Sequence, residues 1–433
     1  MICRAEQGSI MLNSSDAQAI IPLDRYSLME KYLNSGQTDV NGGTFLTDLE
    51  RFGFLSWIRE NTDIVRREMA RSEHVMPPEN AYSAPTILNL ELTTRCPLRC
   101  PQCYCDLRYG KDLDLNRATE VLTQSAEIGV SYINLSGGET MVYPHLYELL
   151  KECSSLGMYA AVALSGYGID AGTLYKLIDS GVSKIFISLN GSTREISSIT
   201  RDGHHLAIRA LELLAEIGFK NTSVNWVAHQ SNIKDFTNVA VLCARMRVKN
   251  LVVMAFKPDA SHNLRSAPDG EQFLKLAQDI KRMQKELSDL RIEVERCYSP
   301  LRAFLGQKFL VNLNIGISKG CGAGRDGVSL NVDGNFTPCR HLDFPEGYSS
   351  LRDYWYKSEV LHTLRMVESS PEEPCAACRY RANCLSCLAV NAKLRKRIVK
   401  ANQRCSLWEQ RSDKFGSLSS QTDSQGTGYF TGD

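Results

Sequence analysis

No run of apolar residues in this chain approaches the ~18 that a membrane span requires. Its start, Met1-Ile-Cys-Arg-Ala-Glu-Gln-Gly, lacks the apolar core of a secretory signal. These two absences predict a cytoplasmic protein with no membrane partner. Neither sign of charge is in excess. Fifty Lys and Arg against 49 Asp and Glu leave a net charge of +1 over 433 residues, so nothing draws the chain globally toward nucleic acid or anionic lipid. No internal repeat of domain scale is present. A disulfide framework is disfavoured on two grounds: the cysteines number 15, an odd count, and the expected reducing compartment keeps thiols free.

What the chain does have is cysteine in clusters. Four lie between Cys96 and Cys105 and seven between Cys321 and Cys405, while Cys3, Cys153, Cys243 and Cys297 are scattered. Clustered thiols without disulfides predict metal sites. The first cluster reads Cys96-Pro-Leu-Arg-Cys100-Pro-Gln-Cys103-Tyr104. Its C-x3-C-x2-C spacing brings three thiolates to one place, one fewer than a closed four-iron cluster or a structural zinc site needs. A [4Fe–4S] cube held this way keeps one iron open to a ligand that is not protein. The alternative is a zinc knuckle with Cys105 as its fourth ligand, which would make the chain a zinc-binding adaptor.

From Leu88 to about Glu295, β-rich runs alternate with amphipathic helical patterns. The strand candidates are 88–93, 132–136, 159–164, 184–189, 222–228 and 251–256; helix patterns lie between them, for example at 115–128, 145–156, 171–180, 206–217 and 236–246. This alternation predicts an α/β fold with parallel strands, six units of a complete or partial barrel. Ligands of such folds gather at the carboxyl ends of the strands, and the three-cysteine run follows the first strand there. Residues 1–85 differ in texture. Runs 9–12 and 17–22 predict a hairpin, followed by helical stretches at 26–33, 43–52 and around 57–71, with Pro77, Pro78 and Pro85 leading into the barrel. Residues 412–433 are polar and predict a disordered tail.

The three-cysteine run with its following aromatic resembles the radical S-adenosylmethionine (SAM) superfamily, whose core is a six-strand partial barrel. The resemblance implies that Cys96, Cys100 and Cys103 hold a [4Fe–4S] cluster whose open iron chelates SAM, releasing a 5′-deoxyadenosyl radical on reduction. Gly137-Gly138-Glu139 after the second strand matches the family's GGE element, with Thr140 where relatives usually carry proline. There the glycines permit close backbone approach to a ligand and Glu139 receives the methionyl amine. By the same carry-over Ser165 contacts polar groups of SAM, Asn190 stands at the ribose position without the usual charge, and Arg201 pairs with the SAM carboxylate. Each of these has an ordinary loop residue as its alternative. No catalytic base is assigned.

The second cluster begins Cys321-Gly-Ala-Gly and runs through Val332-Asp-Gly-Asn-Phe, a predicted hairpin turn, to Cys339. Then come Cys375, Cys378, Cys384, Cys387 and Cys405. Two close pairs alone would also suit a zinc ribbon. In this order the seven resemble the SPASM domain, which carries two auxiliary [4Fe–4S] clusters in peptide- and protein-modifying radical SAM enzymes; the spacing of its last pair is one residue short. The resemblance assigns Cys375, Cys378, Cys384 and Cys405 to an outer cluster and Cys321, Cys339 and Cys387 to an inner one. The fourth inner ligand is Cys297, a non-cysteine group, or none.

The domain reading is therefore a small winged-helix-like α+β module at 1–85, resembling PqqD-type leader-peptide binders, a radical SAM core at 86–300, a SPASM domain at 301–411 and a tail at 412–433. The implied function is maturation of a ribosomally made precursor peptide by a thioether or carbon–carbon crosslink. Reducing equivalents would come from a flavodoxin or ferredoxin. Epimerisation, backbone excision and protein modification use the same machinery and remain its rivals.

Overall fold

The computed structural model describes residues 1–15, 17–35, 43–105, 107, 110–257, 266–306, 320–367, 370–382 and 384–395. Its centre is a nine-stranded sheet in the order β10-β9-β8-β7-β6-β5-β4-β11-β12. Strands β4 (Ile87–Thr93), β5 (Tyr132–Gly137), β6 (Tyr159–Leu164), β7 (Val182–Ser188), β8 (Thr222–Val227) and β9 (Asn250–Met254) are the six predicted strands within a residue or two. Each is parallel to the next. The sheet is not closed. On its β9 side lies β10 (Arg291–Val294), parallel, and on its β4 side β11 (Gly327–Leu330), also parallel. β11 returns through β12 (Phe336–Thr337) as an antiparallel hairpin. The architecture is α/β with a mostly parallel sheet, and the three added strands lie outside the predicted six.

The predicted turn at 332–336 closes that hairpin. The Asn331 side chain accepts from the backbone N–H of Asp333 at 3.1 Å and Asn335 at 3.0 Å, and Gly334 adopts φ of 77°, a left-handed conformation that glycine tolerates. The barrel sheet thereby runs through the boundary drawn at 300. Downstream, helix Leu351–Lys357 docks on helix Leu115–Glu127, with Gln124 accepting from Leu351 N at 2.9 Å. The apolar side chains of these elements form one continuous core.

The N-terminal segment makes a second core of its own. A three-stranded antiparallel sheet, β1 (Ile2–Glu6), β2 (Ser9–Asn13) and β3 (Gln18–Pro22), carries Ile10, Leu12 and Ile21 against helical residues such as Phe54, Leu55 and Ile58. The single helix expected around 57–71 is two, Phe54–Glu60 and Thr62–Ser72, because Asn61 leaves helical geometry with φ of −129° and ψ of 33°. β1 was not predicted. Cys3 and Ala5 share the core face with Leu12 and Ile10, whereas Arg4 and Glu6, on the opposite face toward the barrel, form an ion pair at 2.7 Å with both side chains 7% exposed. From there Arg4 donates to the carbonyls of Pro85 (3.1 Å) and Gly129 (3.0 Å), and Glu6 accepts from Ser83 N at 2.8 Å. That pair stitches the module to the barrel. No described helix is long and apolar enough to cross a membrane. The predicted tail at 412–433 lies outside the described residues.

Candidate active site

The loop after β4 carries Cys96, Cys100 and Cys103. It is built on Thr93 and Arg95. Thr93 Oγ1 donates to Asp112 at 2.6 Å and accepts from Arg95 N at 3.0 Å, and the Arg95 guanidinium grips Asp112 through Nε at 2.9 Å and Nη2 at 2.5 Å. A turn with Cys103 N on Cys100 O at 3.1 Å then folds the thiols toward one another. The far side of the loop rests on the segment after β7, where Gln102 N donates to Thr200 O at 3.2 Å and Arg99 N to Asp202 at 3.3 Å. The three thiols line a cavity of about 220 Å³ together with Gly137, Gly138, Ser165, Asn190 and Arg201. The carboxyl ends of successive parallel strands have brought these residues to one place.

Within that cavity the structure gives several of them partners. Gly138 N donates to Thr93 O at 2.6 Å and Glu139 N to Arg95 O at 2.9 Å. A Cβ on Gly137 or Gly138 would strike the backbone of Thr93 or Arg95. The close approach these glycines permit is thus to the cysteine loop itself, a different reason from the ligand approach expected of them. Glu139 is buried behind Ser165, which forms the cavity wall. Its carboxylate accepts from Ser165 N at 3.0 Å, Ser165 Oγ and Met141 N at 3.1 Å. Burial raises its pKa, and these hydrogen bonds oppose the shift. Asn190 is likewise occupied, donating to Thr200 Oγ1 at 2.9 Å and accepting from Val227 N at 3.2 Å.

Arg201 is different. Its Nε is buried with no hydrogen-bond partner, as is Gln102 Oε1 on the same cavity. Buried polar atoms are ordinarily paired, so an orphaned guanidinium donor and an orphaned amide acceptor beside three thiols suit a ligand that carries both a carboxylate and an amine. Cys96 is pushed above its ordinary thiol pKa, first by burial, with Arg201 acting in the opposite direction. The donor set fits a three-thiolate iron–sulfur cluster with a zwitterionic ligand on its open iron. Among the described residues no three His, Cys, Asp or Glu side chains converge as around a single metal ion.

Three groups at this site were missed from the sequence. Lys257, beyond the end of β9, reaches the cavity wall and pairs with Glu295 at 2.7 Å. Its place at the carboxyl end of the sixth strand was the available signal. Arg340 and His341 also line the cavity, brought from the cysteine-rich region by a turn that no local pattern announces.

The second thiol group lies beyond Lys257. Cys297, on the short turn Arg296–Tyr298 after β10, is hydrogen-bonded through its thiol to both Cys321 and Cys387, and Cys339 lies close enough to feel its charge. The two thiol partners, with Lys257 nearby, hold Cys297 well below the ordinary thiol pKa, while Cys321 and Cys387 are pushed well above it. Cys321 is placed by its N–H on Leu385 O at 3.0 Å, two residues before Cys387. Of the outer set, Cys375 and Cys378 share a turn, with Cys378 N on Cys375 O at 3.2 Å, and Cys384 Sγ meets Ser299 Oγ at 3.3 Å. Cys405 lies outside the described residues.

Residues 90–243 match the Radical SAM superfamily. The chain therefore carries a radical SAM domain, a family that implies a [4Fe–4S] cluster and SAM. More particular likenesses follow. The PqqA peptide cyclase of Ruegeria pomeroyi is 29% identical over 320 residues, 70% of this chain and 81% of the relative. That of Methylorubrum populi is 27% identical over 321 residues, 70% and 80%. Among solved structures, Streptococcus suis SuiB bound to S-adenosylmethionine aligns with a TM-score of 0.69 at 18% identity, over 93% of this chain and 98% of that one. SuiB bound to its precursor peptide SuiA gives 0.68 at 17% identity over the same shares, and native anSMEcpe with bound AdoMet gives 0.61 at 17% identity over 78% and 99%. These structures share the fold of this chain.

Proposed function

We propose that this chain is a peptide maturase that installs an intramolecular crosslink, a thioether or a carbon–carbon bond, in a ribosomally made precursor peptide. The observation that carries the reading is the meeting of Cys96, Cys100 and Cys103 with the unpartnered Arg201 Nε on one cavity; the names of the relatives supply the substrate class. Bound there, a [4Fe–4S] cluster and SAM supply hydrogen abstraction from an unactivated carbon.

The chain's own residues hold and enclose. Cys96, Cys100 and Cys103 would hold the cluster, and Arg201 would receive the SAM carboxylate through a charge-assisted hydrogen bond. Ser165, Gly137 and Gly138 shape the wall. Glu139 fixes Ser165, and a carboxylate with three donors retains acceptor capacity for the methionyl amine. Asn190 ties the ends of β7 and β8 together and would stand toward the ribose. Cys297, Cys321, Cys339 and Cys387 form the inner auxiliary site, and Cys375, Cys378, Cys384 and Cys405 the outer one, each taking a [4Fe–4S] cluster. The position of Cys297 favours a fully ligated inner cluster over one that binds the substrate thiol. A flavodoxin or ferredoxin supplies electrons. Residues 1–85 hold the leader peptide, for which the β3 edge of the small sheet offers strand addition.

Anaerobic reconstitution followed by reductant and SAM is the test. The wild type releases 5′-deoxyadenosine and Cys96→Ala does not. Equal release from the two proteins would remove the first thiol group from the chemistry, and with it this reading.

A further inference from the structure

Tyr104 and Cys105 follow the last thiol of the first group, where Cys105 Sγ meets Gly137 O at 3.6 Å, and further contacts reach them from the second. Residues 339–342 form a tight turn, with Leu342 N on Cys339 O at 3.1 Å, and Arg340 and His341 stand at its tip. The His341 ring lies 4.1 Å from the Tyr104 ring, centroid to centroid. The Arg340 guanidinium sits 5.3 Å over the same ring. Its Nη2 donates to Gly137 O at 3.2 Å and meets Cys105 Sγ at 3.5 Å and Glu91 at 3.6 Å. One planar cation thus touches β4, the end of β5 and the residue two beyond Cys103, while its backbone neighbour is Cys339. Tyr104, Cys105, Arg340 and His341 also line a second cavity of about 860 Å³, so these four residues are the partition between it and the thiol cavity.

We propose that Arg340 is a positioning residue: from the turn that carries Cys339 it fixes the loop of the three thiols, so that filling the second thiol group holds the first in shape. The inference rests on the reading that both groups hold clusters. A lysine would reproduce the charge without the planar fork that stacks on Tyr104 while reaching the Gly137 carbonyl. The coupling is mechanical, through the single peptide bond that joins Cys339 to Arg340.

Iron-loaded full-length enzyme provides the test, because bound thiols resist alkylation and Cys105 can be followed by N-ethylmaleimide labelling and peptide mapping. Cys105 should label roughly tenfold faster or more in Arg340→Met, the scale of losing one desolvated cation–π contact. Arg340→Lys should fall between. Cys339→Ala should expose Cys105 to the same degree, and the double variant should add nothing further. In Arg340→Met the paramagnetic resonance signal of the reduced first cluster should also respond differently to added SAM. Unchanged Cys105 labelling in Arg340→Met and Cys339→Ala, with iron retained at the first group, overturns the inference and leaves the cluster reading standing. Rapid labelling of Cys339 in loaded wild type overturns the reading of the second group instead, and the inference falls with it. Should Arg340→Met fail to accumulate, His341→Ala removes the ring contact with Tyr104; it should speed Cys105 labelling in the same direction, and no change there refutes the proposal.

Discussion

Replacing Arg201 by glutamine separates a ligand-binding arginine from a structural one. Its Nε is buried without a partner, so the folded protein alone carries a desolvated donor that gains nothing from it. Removing that donor should leave thermal stability unchanged or slightly raised. SAM should lose one charge-assisted hydrogen bond, worth about 1.5–3 kcal/mol, which at about 1.4 kcal/mol per decade is a roughly ten- to hundredfold weaker Kd. Anaerobic titration calorimetry of SAM into the iron-loaded protein, beside a thermal melt, reads both quantities. Asn190→Ala is the contrasting control. It strips Val227 N and Thr200 Oγ1 of their partner, and should cost stability by about 1–3 kcal/mol. An Arg201→Gln protein that binds SAM normally but melts lower would refute the assignment.

Three further outcomes follow from the geometry. Cys297→Ser should lower iron content and auxiliary-cluster absorption while SAM binding at the first group persists; full iron content would return the inner site to three cysteines. Glu6→Gln leaves Arg4 buried with its ion partner neutralised, and urea unfolding should show a loss toward the about 3–5 kcal/mol typical of breaking a buried pair, whereas a change under about 0.5 kcal/mol would mean the pair is not what ties β1 to the barrel. Gly138→Ala places a Cβ against the Arg95 carbonyl, so it should displace the cysteine loop and reduce iron loading at the first group, measured by iron-to-protein ratio; normal loading would show that the loop yields freely.

The six central strands were legible because each is a short apolar run bounded by helical periodicity, and burial on both faces produces that pattern. β1 was hidden by its chemistry: the face it buries against the barrel carries Arg4 and Glu6, so that face looks solvent-exposed in sequence. β10, Arg291–Val294, alternates charged and apolar residues over only four positions. β11 was read as a hairpin arm, but its parallel partner β4 lies some 240 residues upstream, beyond any local signal. At the site, fixed spacing within a single loop revealed the first cysteines. Cys297 stayed open because β10, itself unseen, is what delivers it. Arg340 and His341 become visible only when the turn after β12 is laid against Tyr104.

The central claim meets its most direct test in the mass of a candidate precursor peptide, measured after anaerobic, iron-replete co-expression with the enzyme. A crosslinking maturase predicts the loss of two hydrogens per event, abolished by Cys96→Ala. An unmodified peptide, from enzyme whose clusters are intact and which cleaves SAM, would contradict it; unchanged mass in ordinary water with deuterium gained in heavy water would replace crosslinking by epimerisation.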